Sequence, residues 1–208
     1  MKTIRRALLV LAVVVLFGAP APGMASFVDW LEADEPVELG GTQVISRDRL
    51  RLGEAETVPG DVYATVGSAT MNGRVIGDLS ILTGQLDVKG TIDGDLNVVA
   101  QKVALADEGR VGDDARIFAI DVTLFGEVGG DALISAANRV DLSEDTIVTG
   151  ALAVSAPRVV LRGRIEGPVR VTAGLVEING TLARGATIEC DTLKFGPFAQ
   201  VEGDLVYD

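Results

Sequence analysis

The 208-residue sequence contains no histidine. That absence removes Ser-His-Asp and Cys-His catalysis, histidine-ligated zinc, and acyl transfer with a histidine base. Cysteine is nearly absent: Cys190 stands alone and cannot close an intramolecular disulfide. Aromatic residues are scarce, with six Phe, two Tyr and one Trp, too few to wall a sugar-cleaving cleft between Asp, Arg and Lys clusters. No Walker loop is present. Positive charge is in deficit, with 18 Lys and Arg against 30 Asp and Glu, a net −12. Nucleic acid demands a basic face and anionic lipid attracts one, so neither is an expected partner. The composition describes a protein that is not an enzyme and carries no cofactor.

What is present is a frame. From Gly60 onward a 17-residue unit repeats to the end of the chain, as in GDVYATVGSATMNGRVI from Gly60 and GDLSILTGQLDVKGTID from Gly77. Its third position holds Val62, Leu79, Leu96, Ala115, Ala132, Leu152, Val169, Ala186 and Leu205. Its fifth holds Ala64, Ile81, Val98, Ile117, Ile134, Val154, Val171, Ile188 and Tyr207. A later pair runs from Leu86 and Val88 to Leu193 and Phe195, and a third stretch supplies Val75, Ile92, Val111, Val128, Ile147, Ile165, Leu182 and Val201. Apolar residues two apart are strand periodicity, and the Gly, Asp and Asn between them suit tight turns. A repeat this short is one coil of a solenoid. The expected fold is all-β, a single-domain, three-sided parallel β-helix over 41–208, right-handed by the rule for parallel crossovers. Roughly eight coils at about 4.8 Å give a rod on the order of 40 Å long. The coils from Gly94 and Gly130 run to 19 and 20 residues, and corner loops absorb such insertions cheaply.

The N-terminus carries a different signal. Lys2, Arg5 and Arg6 precede an apolar run over Ala7–Phe17, and Gly23-Met24-Ala25 before Ser26 fits a small-x-small cleavage site. The run is shorter than the roughly 20 residues that span a bilayer. Residues 1–25 are therefore expected to be a signal peptide that exports the protein, to the periplasm or cell surface; left uncleaved, it would tether the chain to a membrane. Its removal leaves 15 basic and 30 acidic residues, a charge of −15. Residues 26–40 form an expected cap or short amphipathic segment, with Phe27, Trp30 and Leu31 at helical spacing. A cap suits a solenoid, whose end coil otherwise presents an open strand edge. Val44-Ile45 and Leu50-Arg51-Leu52 already read as a partial coil in the same frame.

Two further features are weighed here. Asp61, Asp78, Asp95, Asp114, Asp131 and Asp204 share one corner column, broken by Ala151, Pro168 and Gly185. Stacked carboxylates could hold a cation, but the calcium-binding nonapeptide repeat is missing; the expected role is to accept backbone N–H bonds at each Asp's own turn. No metal site is assigned. Cys190 closes a column of Val66, Thr83, Ala100, Ala119, Ala136, Ala156 and Ala173, so it is expected to pack as a small hydrophobe.

The unit Gly73-Arg74-Val75-Ile76-Gly77-Asp78-Leu79, repeated as Gly90-Thr91-Ile92-Asp93-Gly94-Asp95-Leu96, resembles the bactofilins, bacterial polymer-forming cytoskeletal proteins. The closing stretch Phe195–Tyr207 is similar to segments of that group. The resemblance implies a right-handed β-helix that polymerises end to end without nucleotide. Typical bactofilins are cytosolic with a short disordered tail at each end, whereas this sequence opens on an export signal and closes on a strand. Two functions are expected as alternatives. The first is a structural scaffold of the cell envelope that self-associates into oligomers or polymers through coil ends, with Leu205, Val206 and Tyr207 on the mating edge. The second is an adhesin-like module that offers a β-helix face to a glycan or an envelope protein.

Overall fold

A computed structural model describes the backbone of Val37–Leu39 and all of residues 41–208. The expected signal peptide and most of the expected cap lie outside the described residues. The described chain is all-β, and its strands stack in parallel as a β-helix of ten levels, from Thr42–Leu52 to Leu205–Tyr207. This exceeds the eight coils counted from the frame because a level precedes Gly60 and a short level closes the stack. Within 26–40, Val37–Leu39 forms a strand antiparallel to the first level, with Val37 opposite Val44 and Leu39 opposite Thr42. That strand pairs with part of the first level's outer edge. The turn between them uses Gly41 at φ +90°, a conformation that side chains rarely tolerate.

Each regular level contains one long strand, such as Val62–Met71, and one two-residue strand, such as Arg74–Val75. The long strands form a twelve-stranded sheet and the short ones a nine-stranded sheet. Burial shows why the long strand counts as two sides. Val62, Ala64 and Val66 are buried, then Ala69 and Met71. A straight strand keeps one parity of side chain on each face, so the switch between Val66 and Ala69 marks a corner. The coil from Gly94 breaks there outright, into Leu96–Val99 and Lys102–Leu105. Three inward-facing stretches per level enclose one core.

The columns read from the sequence are the core. In register, Ile117 lies beside Ile134 and Ile134 beside Val154, with Ile117 and Ile134 almost wholly removed from solvent. One assignment is corrected: the third-stretch residue of the coil from Gly130 is Val148, fully buried between Val128 and Ile165, whereas Ile147 is 39 % exposed. The cause is the length of that coil. Four levels carry a two-residue enlargement at one corner, closed by N–H to carbonyl bonds from Glu56 to Gly53, Gly109 to Ala106, Thr146 to Ser143 and Ala199 to Gly196. The coil from Gly130 adds one more residue at the other corner, where two residues, Ala137 and Asn138, stand opposite the single Ile120.

Candidate self-association surface and the aspartate ladder

The last level is placed by the same columns as the rest. Leu205 stacks on Ala186, Val206 on Thr187 and Tyr207 on Ile188. The backbone ladder continues to the terminus, with Asp208 N–H donating to Ile188 O at 3.0 Å and Cys190 N–H donating to Asp208 O at 3.0 Å. The Tyr207 hydroxyl donates to the Cys190 carbonyl at 3.3 Å, so the ring lies back against the level before it. Cys190 itself is half-buried and packs against the core.

Unlike their buried column mates Ala186 and Ile188, Leu205 and Tyr207 are open to solvent, 39 % and 51 % exposed, and Val206, in an outward column with exposed Thr187 and Arg170, is 56 % exposed. The structure adds two aromatics to the three residues named from the sequence. Phe195 closes the second-pair column and is 53 % exposed, and Phe198 is 73 % exposed on the enlarged corner of the same level. Phe195 was legible as a core residue; its exposure was not, because column membership says nothing about whether a further level covers it. Phe198 belongs to no column. Its N–H donates to Asn179 Oδ1 at 3.0 Å, which fixes the corner. Together these five side chains put an apolar surface at one end of the rod.

A second exposed apolar group lies on the side. Phe118, Ile120 and Leu133 are 44 %, 45 % and 46 % exposed on two adjacent levels. Phe118 continues an outward column through Leu82 and Val99, both half-buried.

The corner aspartates form a ladder, though not within their own turns as expected. Each Oδ1 accepts the N–H of the corresponding residue one level on: Asp61 from Asp78 at 3.0 Å, Asp78 from Asp95 at 2.8 Å, Asp95 from Asp114 at 3.0 Å, and Asp114 from Asp131 at 2.9 Å. The last carboxylate, Asp131, accepts from Ala151 N–H at 2.7 Å. Ala151 offers no acceptor and the next position, Pro168, has no N–H to donate, so the two breaks match. Four corner glycines now have a reason. A Cβ on Gly77, Gly94, Gly130 or Gly150 would collide with the Oδ1 of the preceding level's aspartate.

One arginine neutralises the middle of this ladder. Arg116 donates from Nη1 to Asp95 at 2.8 Å and from Nη2 to Asp114 at 2.9 Å, and the Asp95 bond leads in raising its pKa above the ordinary guanidinium value. Near the ladder's start, burial first, and then the charges of Asp61 and Asp78, push the Tyr63 phenol above its usual pKa. Among the described residues, no three or more acidic or cysteine side chains gather as a metal site.

No protein-family model matches the chain, and neither a curated protein nor a solved structure matches it.

Proposed function

We propose that the protein is a non-enzymatic structural scaffold of the cell envelope that self-associates through the ends of its β-helix. The observation that carries this reading is the exposed set Phe195 and Phe198 on the penultimate level and Leu205, Val206 and Tyr207 on the last. Large apolar side chains left exposed near one end suit an interaction site, and a strand edge beside them can accept another strand. A second copy's coil end supplies both at once. The bactofilin-like repeat supports the same reading, and the basic and apolar N-terminal residues support export.

The test is the oligomeric state of the purified chain. Multi-angle light scattering should show oligomers that grow with concentration, and negative-stain images should show rods longer than one molecule. Leu205→Lys with Tyr207→Lys places charge on the edge and should yield a folded monomer. A wild-type chain that stays monomeric at high concentration and moderate salt would sink the proposal. The side patch Phe118, Ile120 and Leu133 favours the alternative, a module that presents a face to a glycan or envelope protein. That reading expects ligand binding to survive the end substitutions and to fail on Phe118→Ser.

A further inference from the structure

The second outward face of the long strands holds a cleft that neither the core nor the coil ends explain. In one outward column Lys102 lies beside Asp121, Asp121 beside Arg139, and Arg139 beside Arg158. The column spacing is about 4.8 Å, so two guanidiniums stand one level apart on the same face. Like charges directly opposite one another on neighbouring strands destabilise a sheet. Elsewhere in this chain, which has 12 more acidic than basic residues, Arg74, Arg110, Arg116, Arg162 and Arg164 hold carboxylates. Among the described residues, neither Arg139, Arg158 nor Lys102 has a carboxylate oxygen within 4.0 Å.

The one acid in this column is engaged elsewhere. Asn138 Nδ2 donates to Asp121 Oδ1 at 2.6 Å. Asn138 reaches it because it sits on the extra residue of the Ala137–Asn138 bulge, and bulges redirect side chains in this way. The insertion thus ties down the acid and leaves the arginine pair unneutralised. Lys102, Asp121, Thr123, Asn138, Arg139 and Arg158 line a shallow cleft of about 560 Å³.

Its chemistry is donor-rich with one acceptor. Two planar forks, an ammonium and an amide face the opening, and guanidinium forks match carboxylate, sulfate and phosphate groups in bidentate geometry. Asp121 Oδ2 carries no hydrogen bond and accepts from hydroxyls. Ile120, immediately before Asp121, is 45 % exposed and offers an apolar surface beside the polar groups. An acid group, hydroxyls and an apolar ring face occur together on an acidic sugar. We propose that this cleft binds an anionic glycan residue, its acid group clamped between Arg139 and Arg158 with Lys102 on the far side of Asp121. The site is separate from the coil ends and does not depend on self-association.

The experiment titrates the full chain by calorimetry with tri-galacturonate, a heparin-derived tetrasaccharide, inorganic sulfate and neutral maltotriose. Wild type should bind at least one acidic oligosaccharide, weaken as salt rises, and gain melting temperature in its presence. Arg139→Gln and Arg158→Gln should each lower affinity about tenfold, and the pair on the order of 100-fold, since each removes a charge-assisted hydrogen bond. Arg139 and Arg158 are both exposed, so the variants should melt as wild type does without ligand. Arg170→Gln, an exposed arginine outside the cleft, should change nothing. The carboxylated and sulfated probes distinguish which acid group the clamp prefers. No binding of either acidic probe, equal binding of maltotriose, sulfate binding as tight as the sugars, or full affinity in the double variant each overturns the proposal.

Discussion

Side-chain position in this molecule is a matter of parity, and single residues test it sharply. Ile134 is completely buried between Ile117 and Val154, so Ile134→Asp strands a charge in the core and should cost several kcal/mol in denaturant unfolding. Val148→Asp should cost as much, whereas Ile147→Asp, on the outward side of the same two-residue strand, should stay within about 1 kcal/mol of wild type. Equal losses at the two positions would refute the assignment. Tyr63 gives a pH readout. Its folded pKa is raised, so the unfolded chain releases the proton first as pH climbs. The neutral phenol's contribution is intact below the model-peptide value of about 10 and is lost as pH rises through the higher folded value. Melting temperature above pH 10 should therefore fall less in Tyr63→Phe than in wild type, while the two curves run parallel near neutrality.

The coil is the element at which sequence and structure agree and part. The third, fifth and second-pair columns could be read because inward residues two apart recur in every level. Ile147 could not be placed by counting, because its coil combines a two-residue corner with a one-residue bulge. Parity would have found Val148: the third-stretch residue follows the second pair by four positions in regular coils and by six in enlarged ones, as Val111 follows Leu105. The aspartates were legible as hydrogen-bond acceptors but not as links between levels, because a turn and a ladder demand the same residue type. The glycines hold the clue, since each clears space for a carboxylate from the level before it. Asp78→Ala should cost about 1 kcal/mol by orphaning the Asp95 N–H, and Asp78→Asn, which keeps an acceptor, should cost less. Gly94→Ala, which sets a methyl against Asp78 Oδ1, should cost at least as much as Asp78→Ala. Urea denaturation of the three variants checks the order, and a neutral Asp78→Ala would remove the ladder from the account of stability.

Taken as a whole, the molecule is a net-acidic rod with apolar side chains exposed on its last two levels. The mature chain expected from the sequence carries −15, while the last two levels present Phe195, Phe198, Leu205 and Tyr207 to solvent. On the proposed reading axial contact buries those side chains, whereas lateral contact aligns acidic columns such as the aspartate ladder along the rod. Growth along the axis should therefore dominate at low salt. Screening shortens the reach of surface charge from about 30 Å at 0.01 M to about 8 Å at physiological ionic strength, so added salt should thicken the assemblies without being needed to start them. Association that involves only folded molecules also raises apparent stability with concentration. The melting temperature of wild type should climb over a hundredfold concentration range, and that of Leu205→Lys with Tyr207→Lys should stay flat at the lower value. Scanning calorimetry paired with light scattering on the same samples decides the matter: a wild-type melting temperature independent of concentration, with particles that do not lengthen, leaves the exposed last level without an axial partner of its own kind.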